Sequence, residues 1–204
     1  YTLTHEYTDV LRGFWSKSPF HHSGKYFNFE NSYNEPKPPK IPLVYAGGES
    51  EIGRNAITQF ADFYLLHGGT LDEVKAKITD MKERKKRAGL PPFKGFGMAV
   101  YMIVRDSEEE AQKELKRITT IKNYADYENS YKNFTGNSQL DVEISKQEYS
   151  VSNRGLRPNL VGTPESVAQK IRAYKEAGLD LLIIQCANMQ KELEYIAKKV
   201  MPLV

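Results

Sequence analysis

The sequence predicts an α/β domain organised around a parallel sheet, and three observations carry that expectation. Four short apolar segments alternate with amphipathic stretches at helical spacing. Glycine pairs follow the first two of these segments, and the third, residues 96–104, is β-prone and without charge. A chain of 204 residues with 40 % hydrophobic and 27 % charged side chains is long enough to bury one core.

Each element follows from local pattern. Residues 1–15 place Leu3, Tyr7, Val10, Leu11 and Phe14 at helical spacing and predict an amphipathic helix. Residues 16–42, with His21, His22, Gly24, Pro36, Pro38, Pro39 and Pro42, predict a long loop. An apolar run at 41–46, then Gly47-Gly48, then a helical pattern over 52–60 reads as strand, glycine turn and helix. A second strand at 61–67 precedes Gly68-Gly69 and Thr70, which caps a helix over 71–88. Gly89-Leu90-Pro91-Pro92 stops that helix, and residues 96–104 fit a buried parallel strand. Ser107 with Glu110 forms a capping box for a helix over 108–121. Residues 123–159 are polar, aperiodic and rich in Tyr, Asn and Ser, which predicts an inserted, lid-type loop with some local structure. Thr163 and Pro164 open a helix with Val167, Ile171 and Tyr174 on its inner face, and Gly178 ends it. Residues 179–184 predict another buried strand and 189–200 a last helix. Four such units fit an open doubly wound sheet or half of an eight-stranded barrel, and composition does not choose between them.

Charge and cysteine content narrow the function classes. With 29 basic and 26 acidic side chains the net charge is only +3, and no segment is apolar enough to span a membrane, so neither a nucleic-acid nor a membrane partner is expected. One Cys leaves no internal disulfide and no thiolate zinc cage, which fits a reducing, cytoplasmic setting. The chain opens on Tyr1 instead of Met and shows no signal-peptide pattern, so it is expected to be trimmed. The four histidines have no metal-ligand spacing, and no metal site is expected. Ile52 stands where a nucleophile elbow needs its second glycine, and Gly95-Phe96-Gly97 precedes a strand instead of following one. The basic run at 82–87 reads as the solvated face of a helix.

One motif stands out, AGGESEIGR at residues 46–54, between a strand and a helix. Gly47 and Gly48 let the backbone approach a ligand, Ser50 offers a hydroxyl, the amides opening the helix are anion donors, and Arg54 adds positive charge. The same residues also fit a tight strand-to-helix turn with an ordinary serine cap.

The order of segments resembles the C-terminal half of the bacterial-luciferase-like flavin monooxygenases, the group holding alkanesulfonate and dimethylsulfone monooxygenases. The residues carrying it are YTLTHEYTDVLRGFW, HHSGKYFNF, PKPPKIPLVYAGGESEIGRNAI, ADFYLLHGG, FGMAVYMIVRDSEEEA and NRGLRPNLVGTPESVAQKIRAYKEAGLDLLIIQ. The resemblance implies strands five to eight of a TIM barrel, with residues 1–204 as the C-terminal portion of one (β/α)8 domain. It implies reduced FMN (FMNH2) as cofactor, its phosphate held by Tyr1, Gly47, Gly48, Ser50, Gly53 and Arg54. Arg154 and Arg157 fall in the family's mobile loop, where an arginine is expected to close over flavin and substrate, although a solvent-facing pair fits the bare sequence equally well. Tyr101 becomes a candidate for hydrogen bonding to substrate and Gln185 a pocket candidate, beside a structural reading for each. Where alkanesulfonate monooxygenases carry Arg and His on the seventh strand this chain has Ala99 and Tyr101, and it has Ala187 in place of a Tyr after the eighth, which brings it closer to the dimethylsulfone branch. The implied activity is an FMNH2- and O2-dependent monooxygenase of a small organosulfur compound, served by a separate NAD(P)H:flavin reductase and oligomeric as a full barrel. A non-catalytic flavin-fold remnant acting as an interaction subunit, or an F420-dependent oxidoreductase, are the alternatives.

Overall fold

A computed structural model describes residues 1–121, 123–137, 143–152 and 154–204. Helix α1 (Thr2–Ser16) runs into an antiparallel hairpin, β1 (Phe20–Ser23) and β2 (Asn28–Ser32). Then follow β3 (Tyr45–Gly47), α2 (Glu51–Phe60), β4 (Phe63–Leu66), α3 (Leu71–Arg87), β5 (Gly95–Tyr101), β6 (Ile103–Val104) and α4 (Glu108–Thr119). The chain finishes with α5 (Tyr124–Asn137), α6 (Lys146–Ser152), β7 (Val161–Gly162), α7 (Pro164–Glu176), β8 (Leu181–Gln185), α8 (Met189–Lys199) and a 3-10 turn, Met201–Leu203.

The main sheet is parallel with strand order β3-β4-β5-β8. Each strand lies beside its neighbour in the β/α series, without the reversal of order that defines a doubly wound sheet. Helices α2, α3, α7 and α8 share one apolar core with one face of the sheet, through Ile57, Val74, Ile78, Met81, Val167, Ile171 and Ile196 against Tyr64, Leu66, Phe96, Met98 and Val100. The arrangement is therefore an arc with helices on its outer side, as in half a barrel.

By register and alternation the opposite, inner face carries Tyr45, Gly47, Phe63, Leu65, Gly95, Gly97, Ala99, Tyr101, Leu181, Ile183 and Gln185. Phe63 and Leu65 lean across the glycines of β5: a Cβ built on Gly95 would stand 2.2 Å from Phe63 Cε1, and one on Gly97 2.7 Å from Leu65 Cδ2. Tyr45, Leu181 and Ile183 are 45 %, 37 % and 43 % exposed. Strand β8 is thus covered on its outer face alone, not buried on both as its apolar run suggested.

Other elements depart from the sequence pattern for identifiable reasons. The stretch 16–42 contains the β1–β2 hairpin, held by tertiary contacts that no local signal announces. Glu6 accepts hydrogen bonds from the backbone amides of Lys25, Tyr26 and Phe27, and Phe14 packs on Phe20 and Phe29. Strand β3 is shorter than the apolar run at 41–46 because Val44 N–H donates to Asp62 Oδ2 at 2.9 Å instead of joining the ladder. The run at 96–104 is two strands, since the chain changes partner at Met102: its N–H donates to the Gln185 carbonyl, whereas Ile103 N–H donates to Leu160 and β6 pairs with β7. Within 123–159 lie α5 and α6. Helix α5 buries none of its residues, so it has no apolar stripe to betray it. Residues 138–142 of that stretch, and Asn153 of the NRGLRPN motif, lie outside the described residues. In the basic run at 82–87, Arg84 and Lys85 are buried, not solvated. Lys85 Nζ donates to the Ala61 carbonyl and lies 4.6 Å from the Phe93 ring centre. No helix among the described residues is long and apolar enough to cross a membrane, and these residues hold no cluster of metal-ligating side chains.

Candidate functional site at the glycine turn after strand β3

The AGGESEIGR segment folds as strand, turn and helix, with Ser50 as the N-cap of α2. Ser50 Oγ accepts a hydrogen bond from Gly53 N–H at 3.1 Å. The first helical bond runs from Arg54 N–H to the Ser50 carbonyl, so the amides of Glu51 and Ile52 precede it and point out along the helix axis. Tyr1 meets this end of the helix from α1. A Cβ built on Gly53 would stand 3.0 Å from both Ser50 Oγ and Tyr1 Oη. Glycine at 53 thereby keeps open a cradle between two hydroxyls over a helix N-terminus, a position that favours an anion.

The turn is braced from several sides. Tyr64 Oη donates to the Gly48 carbonyl at 2.8 Å from the core below. Arg54 Nη1 donates to the Glu49 carbonyl at 2.7 Å and Nη2 to Glu51 Oε2 at 3.0 Å, and its Nε lies 3.2 Å from Asp80. Arg84 spans Glu51, Asn55 and Asp80. These arginines hold the Glu51 carboxyl down to about 2, with Arg84 the larger cause and Arg54 the second.

On the other side of Ser50, the Glu49 carboxylate is buried and receives Arg154 Nη2 in an ion pair. Arg154 is 3 % exposed, adopts a left-handed backbone at φ 70°, and its Nε has no hydrogen-bond partner among the described residues. A cavity of about 30 Å³ opens beside the pair, lined by Glu49, His67, Gly68, Gly69 and Arg154 among others. Burial lowers the His67 pKa; Glu49 opposes this, and Arg154 and Lys77 add to it. Arg157 is clamped as well. Its Nη2 and Nε reach Glu73 at 2.6 and 2.8 Å, and its Nη1 reaches Glu148 at 2.9 Å. The Arg157 partnership pulls the Glu73 carboxyl down to about 2. Neither arginine is therefore solvent-facing in the way that the bare sequence allowed.

Tyr101 and Gln185 are register partners at the C-terminal ends of β5 and β8. Tyr101 packs with Ile103, Ala111, Leu156 and Val161, and this burial raises its phenol pKa. The structure thus brings Tyr1, Gly47, Gly48, Ser50, Gly53 and Arg54 together at one turn, and Tyr101 with Gln185 at a second place on the same strand-end edge. Sequence reasoning missed Glu49 and His67. The acid next to Ser50 in GGESE is visible in the sequence, but its burial and its partner, 105 positions away, are not.

These features define an α/β protein with a sequentially ordered parallel sheet and a serine-capped strand–turn–helix at its C-terminal edge. Residues 1–181 match the family model described as luciferase-like monooxygenase, and the chain belongs to that family. It is 30 % identical over 211 residues to an FMNH2-dependent dimethylsulfone monooxygenase of Pseudomonas fluorescens, a match covering all of this chain and 57 % of the relative. It is 28 % identical to a sulfoquinovose monooxygenase of Novosphingobium aromaticivorans, over 88 % of this chain and 56 % of the relative. Among solved structures, long-chain alkane monooxygenase LadA matches with a TM-score of 0.75 at 23 % identity, over 98 % of this chain and 55 % of LadA. DmoA from Hyphomicrobium sulfonivorans matches with a TM-score of 0.77 at 19 % identity, over 99 % of this chain and 54 % of DmoA. The chain spans a little over half the length of the curated relatives it matches.

Proposed function

We propose that this chain is the phosphate-binding portion of an FMNH2- and O2-dependent monooxygenase that acts on a small, uncharged organosulfur compound. The observation that carries the reading is the cradle at the α2 N-terminus, where Ser50 Oγ and Tyr1 Oη converge over Gly53. Reduced FMN, when bound, supplies the electrons that activate O2 for insertion of one oxygen atom into the substrate. The chain's own residues bind and orient. The Ser50 and Tyr1 hydroxyls and the amides of Glu51 and Ile52 hold the phosphate, Gly47 and Gly48 allow close backbone approach, and Arg54 braces the turn through the Glu49 carbonyl while it balances Glu51 and Asp80. Arg154 and Arg157 clamp the segment after α6 against the strand-end edge, where α5 and α6 form part of a cover that excludes water.

The neutral character of the substrate is supported by the inner row of β5 and β8. Gly97, Ala99, Tyr101, Leu181, Ile183 and Gln185 bring no charge to that face, and an anionic sulfonate would need one. Tyr101 is the candidate to donate a hydrogen bond to a sulfone oxygen, with Gln185 as its register partner. A separate NAD(P)H:flavin reductase supplies the reduced cofactor, and the complete barrel works as a homo-oligomer.

Equilibrium titration of the full chain with FMN, riboflavin and F420 tests the cofactor. FMN is expected to bind more tightly than riboflavin, by about tenfold or more for a phosphate engaging several donors. Equal affinity for FMN and riboflavin overturns the reading, and preference for F420 replaces it with the deazaflavin alternative. With a flavin reductase present, dimethyl sulfone consumption in preference to methanesulfonate supports the substrate class, and the reverse preference overturns it.

A further inference from the structure

We infer that Arg154 serves the cofactor site from behind, by neutralising Glu49 next to the phosphate cradle, and does not itself touch flavin or substrate. The inference rests on the cofactor reading above and deepens it. Ser50 stands between two glutamates in the chain, and an uncompensated carboxylate on either neighbour would act against a phosphate at its hydroxyl. Glu51 is compensated by Arg54 and Arg84 from its own and the adjoining helix. Glu49 is compensated from a distant segment, by Arg154.

Three features tie Arg154 to this task. Its guanidinium is buried with its Nη2 on the Glu49 carboxylate, and its Nε has no other partner among the described residues, so the cation and the acid depend on one another. Its backbone is fixed where it stands: φ is 70°, and the carbonyl lies so close to Gly68 that a Cβ there would be 1.9 Å from Arg154 O. Glu49 is held at both ends, its carboxylate by Arg154 and its carbonyl by Arg54, which fixes the peptide leading into Ser50. Arg157 anchors the same segment to α3 through Glu73. Arg154 is in this sense a positioning residue with an electrostatic duty, distinct from an arginine that closes over a substrate.

The assignment makes opposite predictions for the two partners. Arg154→Met leaves Glu49 as an uncompensated negative charge beside the phosphate, so FMN affinity is expected to fall by about tenfold relative to riboflavin, whose own affinity moves less than about twofold. Glu49→Gln leaves a positive charge there, and the FMN-to-riboflavin preference is expected to hold or rise. The double variant Glu49→Gln with Arg154→Met removes both charges and is expected to restore the wild-type preference to within about threefold. Failure of the double variant to recover, or a loss of FMN preference in Glu49→Gln, overturns the inference and favours direct contact of Arg154 with the ligand. Should Arg154→Met not fold, the double variant and Glu49→Gln still decide the question. Amide hydrogen exchange at residues 50–54 gives a readout that needs no flavin: protection is expected to drop in Arg154→Met and return in the double variant, and unchanged protection counts against the bracing role. A wild-type chain that shows no preference for FMN overturns the cofactor reading and this inference with it. A preference that survives undiminished in Arg154→Met overturns this inference alone.

Discussion

The two faces of the four-stranded sheet are built from the same kinds of residue and live in different surroundings. On the outer face Met98, Val100 and Tyr64 have no exposed surface and share a core with four helices. On the inner face Tyr45, Leu181 and Ile183 leave more than a third of their surface uncovered within these 204 residues. Apolarity alone therefore does not tell where the stabilising contacts are. The outer face carries the fold, and the inner face, ending in Tyr101 and Gln185, is shaped by what its neighbours leave open.

Substitutions sharpen that contrast, beginning with the strongest. Met98→Asp places a charge in the closed core and is expected to unfold the chain, a loss above about 4 kcal/mol, whereas Ile183→Asp on the inner face should cost under about 1 kcal/mol in urea denaturation of this chain. Equal losses would show that the inner face is also closed. At the edge where the faces meet, Gly68→Ala drives a Cβ into the Arg154 carbonyl. A loss of about 1–3 kcal/mol is expected by the same measurement, together with weaker FMN binding. Ser50→Ala removes the cap of α2 and should cost about 1 kcal/mol of stability. It should also lower FMN affinity, whereas riboflavin affinity should not move.

The smallest effect concerns pH. Glu73 has its carboxyl held at about 2 by Arg157, below the ordinary 4.5. An acid depressed on folding stabilises the native state fully above its unfolded value and loses that contribution as pH falls from 4.5 toward 2. With Glu73 a third exposed, the pair contributes under about 1 kcal/mol. Comparing wild type with Arg157→Met at pH 7 and pH 3 by thermal melting should show the gap between them narrowing at the lower pH; a constant gap would mean that this ion pair does not drive it.

How much of this was legible in sequence depended on the range of the contacts. The turn at 46–54 was readable because its parts are local: a short strand, two glycines, a serine cap and a helix follow one another directly. Helices α3 and α7 were readable through their caps at Thr70 and Thr163. The β1–β2 hairpin was not, since Glu6 and Phe14 on α1 hold it. Helix α5 was hidden by its lack of an apolar face. The run at 96–104 is strand-forming by composition, but a change of hydrogen-bonding partner at Met102 leaves no trace there. Most consequential for the site, the Glu49–Arg154 pair joins segments far apart in the chain, and only folding reveals that the arginine is committed to an acid.

The glycines of β5 have one further consequence. Because Phe63 and Leu65 recline over Gly95 and Gly97, the calibre of the inner surface is governed at its lower end by two positions of β5 that carry no side chain. Adding a methyl at 97 would act as a lever, lifting the leucines of β4 and β8 instead of merely filling space. The progression from Gly95 through Gly97 and Ala99 to Tyr101 is thus a graded profile in which bulk grows toward the strand ends. Small changes at its lower steps would be felt as changes in depth at the upper one.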